Sequence, residues 1–208
     1  MTATQHGKID FTVMYVTHDA FRRDLDRLGA AAADRRTGTR GVRAGWENFK
    51  NQLDVHHSVE DAALWPRVER AVAGRPADRE LLAEMRAEHA QLHPPLAAVD
   101  QAMRRSAADL TPLVQELSAV LGQHMRHEEN SALPLIQEVL TPGDWSAFRR
   151  AMARRQGPRG AAMYVPWVTE GLGDEERRRF LRMMGPPVPV INRLFWQARY
   201  DKRDLWGN

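Results

Sequence analysis

The chain contains no cysteine, which excludes disulfides, thiolate metal ligands and cysteine nucleophiles. It also lacks long apolar runs. None approaches the roughly 18 residues a membrane span requires, so no transmembrane segment is expected. Residues 1–10 hold no apolar core of the kind a signal peptide carries. These absences lead to the expectation of a cytoplasmic protein, with which a cysteine-free chain is compatible. Strongly one-signed charge is missing as well, the net charge being +3. Residues 141–208 carry 13 Lys/Arg against 7 Asp/Glu, whereas the remainder carries 17 against 20. The basic excess reads as a solvated helix surface. A nucleic-acid partner would require a denser basic face or a recognisable module, and neither is present.

What is there is a 208-residue chain with 43% hydrophobic residues, enough for one domain with an extension. Its most informative feature is a repeat. His56-His57-Ser58-Val59-Glu60-Asp61, running on to Leu64-Trp65-Pro66, aligns with His124-Met125-Arg126-His127-Glu128-Glu129, running on to Leu133-Pro134. At one offset His56 meets His124, Glu60 meets Glu128, Asp61 meets Glu129 and Pro66 meets Pro134. A carboxylate four residues after a histidine shares its helix face. Two such faces turned inward can hold metal.

Hydrophobic periodicity predicts four long helices, over about 10–33, 42–73, 77–104 and 111–140. Gly74-Arg75-Pro76 supplies a stop signal, and Thr111-Pro112 a start. Pro66 and Pro134 are expected to kink helices two and four, and Pro94-Pro95 to kink helix three. Short connections between long helices favour antiparallel neighbours, so the expected fold is all-α: an up-down-up-down four-helix bundle over residues 8–140. Residues 141–208 form a helical extension, with breaks at Gly157-Pro158 and Gly185-Pro186-Pro187. Four of the six tryptophans lie in it, including Trp196 and Trp206, and its end carries Leu194, Phe195, Tyr200 and Leu205. It is expected to pack over the bundle.

Depth along the helices gives the repeat its meaning. Counted from the connecting loops, His18, His56, His89 and His124 lie within two or three residues of one level, a mismatch of roughly 3–5 Å at the helical rise. A single His-x-x-x-Glu is commonly a surface pair, and a lone His18 or His89 commonly a hydrogen-bonded core residue. Four level histidines with two inward carboxylates differ, because burying those charges without a partner is costly. Imidazole and carboxylate ligands suit iron, manganese or zinc. Structural zinc takes about four ligands; this set exceeds that number and argues for two ions. Ferritin-like bundles use Glu-x-x-His, and no histidine here has Glu three residues before it.

His18, His56-x-x-x-Glu60, His89 and His124-x-x-x-Glu128 together resemble the hemerythrin-like (HHE cation-binding) family over roughly residues 8–140. The resemblance implies a four-helix bundle with two non-haem iron ions. His18, His56, His89 and His124 would be terminal ligands, and Glu60 and Glu128 the bridges alongside an oxo group. Oxygen carriers of the family have His-x-x-x-His on the third helix, which His89-x-x-x-His93 matches, so His93 is read as a further ligand. Five imidazoles, two carboxylates and an oxo bridge then fill roughly 11 of 12 octahedral positions. The carriers' helix-four bridge would correspond to Glu129, but the repeat selects Glu128. His57, Asp61 and His127 read as supporting or exposed residues, His6 as a solvated end, and Tyr15 as core. The function implied is binding of, or reaction with, dioxygen, peroxide or nitric oxide. Alternatives are a di-iron oxidase or oxygenase acting on a small molecule, a peroxide-decomposing enzyme, or an iron or oxygen sensor working through the extension.

Overall fold

A computed structural model describes residues 8–105 and 110–207; His6 lies outside the described residues. Every regular element among them is helical: α1 (Thr12–Ala33), α2 (Arg40–Val59), α3 (Trp65–Ala71), α4 (Pro76–Gln91), α5 (His93–Arg104), α6 (Thr111–His127), α7 (Leu133–Val139), α8 (Pro142–Thr169), α9 (Asp174–Met183), α10 (Val188–Ile191) and α11 (Gln197–Asp201). The helix starts follow local chemistry. The Asp10 carboxylate accepts the Thr12 N–H at 2.8 Å. Thr39 caps α2 through the Val42 N–H, and Thr141 and Asp144 cap α8 reciprocally. Pro76, Pro112 and Pro142 occupy first turns, where no intrahelical donor is required.

The expected kinks at Pro66 and Pro134 take another form. Glu60–Leu64 and Glu128–Ala132 are π-helical turns, closed by the Trp65 N–H on the Glu60 carbonyl and the Leu133 N–H on the Glu128 carbonyl. A proline lacks a donor and crowds the carbonyl four residues back. The wider turn before it relieves both problems and lets the helix run on. Each wide turn opens on the carboxylate of the repeat.

The third helical pattern breaks two residues earlier than expected. The Leu92 N–H bonds three residues back, to His89, and α5 opens at His93. Pro94 and Pro95 therefore sit in a first turn rather than inside a helix. In α8 the expected break shrinks to one residue: Gly157, at φ +60°, bends the helix, which then continues through Thr169. That left-handed φ is one that glycine adopts without penalty.

Two apolar clusters form the core. One contains Phe21, Phe49, Leu92 and Leu121 with Trp167, Phe180 and Trp206. The other contains Met14, Val59, Met85 and Ala132 with Trp65, Trp145 and Phe148. Burying side chains of this size contributes about 1.5–3 kcal/mol each. His18, His56, His89 and His124 each fall in sequence between a member of one cluster and a member of the other. A polar layer thus separates two apolar ones.

Residues beyond 140 share the first cluster, and α8 packs against α1 and α2. The Trp167 indole donates to Asp24 at 2.8 Å, Arg27 pairs with Glu170 at 2.9 Å, and the Tyr200 hydroxyl donates to Glu170 at 2.7 Å. Gly41 and Gly45 admit Gly207 and the Trp206 ring so closely that a Cβ at either would collide. The C-terminal residues divide: Tyr200, Leu205 and Trp206 are buried, whereas Leu194 and Phe195 stay 60% and 56% exposed.

Candidate metal centre

Six residues singled out by spacing lie in the polar layer and are buried: His18, His56, Glu60, His89, His124 and Glu128. α1 supplies His18, α2 His56, α4 His89 and α6 His124. The two wide turns supply Glu60 and Glu128. The wide turn adds one residue to the local repeat, changing where the following side chains point.

The side chains converge at close range. His18 Nε2 lies 3.2 Å from His56 Nε2 and 3.1 Å from Glu128 Oε2. Glu60 faces two ways: Oε1 is 3.1 Å from His56 Nε2, and Oε2 is 3.5 Å from His89 Nε2. The His89 and His124 rings lie 4.7 Å apart. Despite this proximity, both oxygens of Glu60, both of Glu128, and the Nε2 atoms of His89 and His124 have no hydrogen-bond partner. Nearly all buried polar groups in proteins are paired. Six orphaned atoms in one layer are the pattern expected of ligands aimed at a shared cation.

The outward ring nitrogens are, by contrast, held by carboxylates. His18 Nδ1 donates to Glu129 at 2.8 Å, His89 Nδ1 to Asp61 at 3.0 Å, and His124 Nδ1 to Glu88 at 2.9 Å. Glu88 also accepts from His127 at 2.8 Å, and Arg22 braces Glu129 at 2.7 Å. A proton fixed on Nδ1 leaves the Nε2 lone pair free for a metal. Glu129 is thus engaged outward, while Glu128 points into the layer.

His93 does not join the cluster. It is exposed at the first position of α5, turned out by the break at Leu92. The structure thus does not bring His93, read as a further ligand, together with the other six. His57, read as supporting or exposed, lies within the cluster instead: its ring stacks on His89 at 4.1 Å and meets His124 edge-on at 5.2 Å. Potential ligand atoms of His57, His89 and His124 lie within 4.8 Å of one another, as do those of His18, His56 and Glu128. Two poles result, with Glu60 reaching toward both. The repeat set His57 apart from the other histidines because helix four has Met125 at the equivalent position. Its proximity to His56 was the available signal. Glu88 carried no sequence signal beyond its place before His89. Tyr15 packs, half-buried, beside the second cluster, its phenol pKa raised by burial and by the charges of Glu129 and Glu128.

Burial and mutual proximity shift the titrating groups of the layer in opposite directions. Burial would lower the His18 pKa, but the close approach and charge of Glu128, with the hydrogen bond to and charge of Glu129, hold it up at about 9. Burial would raise that of Glu128, but His18 holds it down at about 2. Glu60 is pushed well above the usual carboxylate range by burial, then by the charges of Glu128 and Asp61. His56 and His57 are driven well below the imidazole range by burial and the neighbouring rings. The layer therefore favours one charged pair, His18 with Glu128, and disfavours charge on Glu60, His56 and His57.

Comparison with known families agrees with this geometry. The model of the hemerythrin HHE cation binding domain matches residues 10–136. The chain belongs to that family. Neither the curated proteins nor the solved structures return a match. Among the described residues no helix is long and apolar enough to cross a membrane.

Proposed function

We propose that the polar layer holds two non-haem iron ions and that the chain binds or reacts with dioxygen, peroxide or nitric oxide there. The carrying observation is the set of six orphaned, buried donor atoms on Glu60, Glu128, His89 and His124. Oxygen and nitrogen donors without thiolate suit iron, and seven side chains exceed what one tetrahedral ion uses. His18 and His56 would serve one ion, His57, His89 and His124 the other. Glu60 and Glu128 would bridge, the split approach of Glu60 toward His56 and His89 being what supports its role. Five imidazoles and two carboxylates then stand in the proportions of the oxygen carriers, with His57 in place of the third-helix histidine.

Iron so held would supply electrons to, or a binding position for, a small oxidant. The protein's part is to keep the imidazoles in one tautomer, through Glu129, Asp61 and Glu88, and to exclude water with the apolar clusters on either side. We also infer that residues 8–140 form an antiparallel four-helix bundle and that residues 141–208 act as its cover. Ferrous reconstitution followed by iron quantitation and optical spectra under dioxygen, peroxide and nitric oxide tests the reading. Two irons per chain with ligand-dependent spectra are expected; a single tightly held zinc with no iron uptake would overturn it.

An oxidase or oxygenase acting on an organic molecule is the second reading. It is favoured by one observation, a cavity that has His56 in its wall.

A further inference from the structure

That cavity has a volume of about 420 Å³ and lies between α1, the two halves of α8 on either side of the Gly157 bend, and the α9–α10 turn. Its size is that of a pocket for a small organic molecule. Buried members of its lining include Met14, His56, Trp145, Phe148 and Val165, while Ser146, Arg150 and Ala153 are exposed. The cavity therefore has an apolar interior ending at the polar layer and a rim on α8. Arg149 and Arg150 both line it, and neither has a carboxylate within ion-pair distance among the described residues. Among the described residues Arg149 donates only to the Met183 carbonyl, at 3.0 Å. Two further lining side chains hold buried atoms without partners: the Trp145 indole nitrogen and Gln156 Oε1. The lining also carries a hydroxyl pair, Thr17 and Tyr164, 2.8 Å apart.

We propose that this cavity binds an amphipathic organic anion, a carboxylate on an apolar body of about ten carbons, with the carboxylate at Arg149 and Arg150 and the apolar end against His56. The chemistry of each end selects the orientation. Guanidinium groups pair with carboxylates through parallel hydrogen bonds. The interior beyond them is apolar and aromatic, and would charge a high desolvation cost to any ionic group placed there. The occupant's far end then stands beside the ring that the metal reading assigns as a ligand. Only this adjacency rests on that reading; the binding itself does not.

Calorimetric titration of the full-length, metal-free protein with decanoate and with 1-decanol tests the binding. One decanoate per chain is expected, with 1-decanol at least tenfold weaker. Arg150→Gln, and the double variant Arg149→Gln/Arg150→Gln, should weaken decanoate at least tenfold and leave 1-decanol unchanged. Arg150→Gln spares the Arg149 contact with Met183, so a folding defect in the double variant does not decide the outcome. Ala161→Phe, which fills the cavity, should abolish both ligands. No decanoate binding at millimolar concentration, or equal affinity for acid and alcohol, overturns the proposal. Proton relaxation of decanoate on manganese-loaded protein then reports orientation. The terminal methyl should relax faster than the protons next to the carboxylate, and the reverse order contradicts the placement. If manganese does not bind, the titrations still decide the cavity, and iron stoichiometry decides the metal reading.

Discussion

Glu60 and Glu128 show what a buried carboxylate means when its neighbours are examined one by one. Each is fully buried, each lies near a histidine nitrogen, and neither forms a hydrogen bond. The contrast with Glu129 is instructive. One residue along, it is spoken for by His18 and Arg22. Spacing alone separated Glu128 from Glu129 through the repeat with Glu60. It could not show that His57 lies against His89 while His93 is exposed, because that depends on where the third helix breaks. Two predictions follow from that difference. His93→Ala should leave the iron content unchanged, whereas His57→Ala should lower it toward one iron per chain; metal analysis of both purified variants checks this. Glu88→Gln should weaken iron binding about 10–100-fold, the usual effect of removing a carboxylate behind a ligating histidine, as read by competition with a chelator.

At the scale of elements, the long helices were legible because their apolar periodicity is sustained and their ends carry Gly, Pro and Thr signals. Starts and stops fell within two residues of expectation for α1 and for the pattern opening at Thr111. The wide turns were not legible. A proline inside a helical pattern announces a disturbance, but whether the chain kinks or widens is settled by packing on both sides of it. Trp65 and Leu133, both buried, continue each helix in the core. Exposure of Leu194 and Phe195 was likewise unreadable, since an amphipathic pattern does not name the surface that covers it. The seat of the C-terminal turn on α2 depends on two glycines. Gly45→Ala would drive a methyl group into the Trp206 ring and should destabilise the protein by about 1–3 kcal/mol, the range for overpacking. Denaturant melts should show the loss, with Trp206 fluorescence shifted toward that of a solvated indole.

For the molecule as a whole, the extension contributes to both apolar clusters of the helices that carry the buried histidines, and a charged network fastens them. Arg23, Arg27 and Tyr200 converge on Glu170. Burial pulls the Glu170 pKa up, but the Arg27 and Tyr200 hydrogen bonds and the arginine charges outweigh it and hold the carboxyl below its ordinary value. A carboxylate depressed in the folded state stabilises above its unfolded pKa, near 4.5, and that contribution is lost as pH falls through the folded value. Glu170→Gln should therefore cost stability at pH 7 and converge with the wild type in acid. Chemical denaturation across pH checks the sign. Cation binding should act on the same scale, since a ligand held only by the native state raises stability by about 4 kcal/mol at a thousandfold excess over its dissociation constant.

The central claim is that two irons share the layer between the apolar clusters. Iron stoichiometry on the reconstituted full-length protein, measured beside that of His124→Ala, tests it most directly. Two irons per chain, with the pair lost in His124→Ala, is the predicted result. One metal ion per chain, or two irons retained after that substitution, would contradict it.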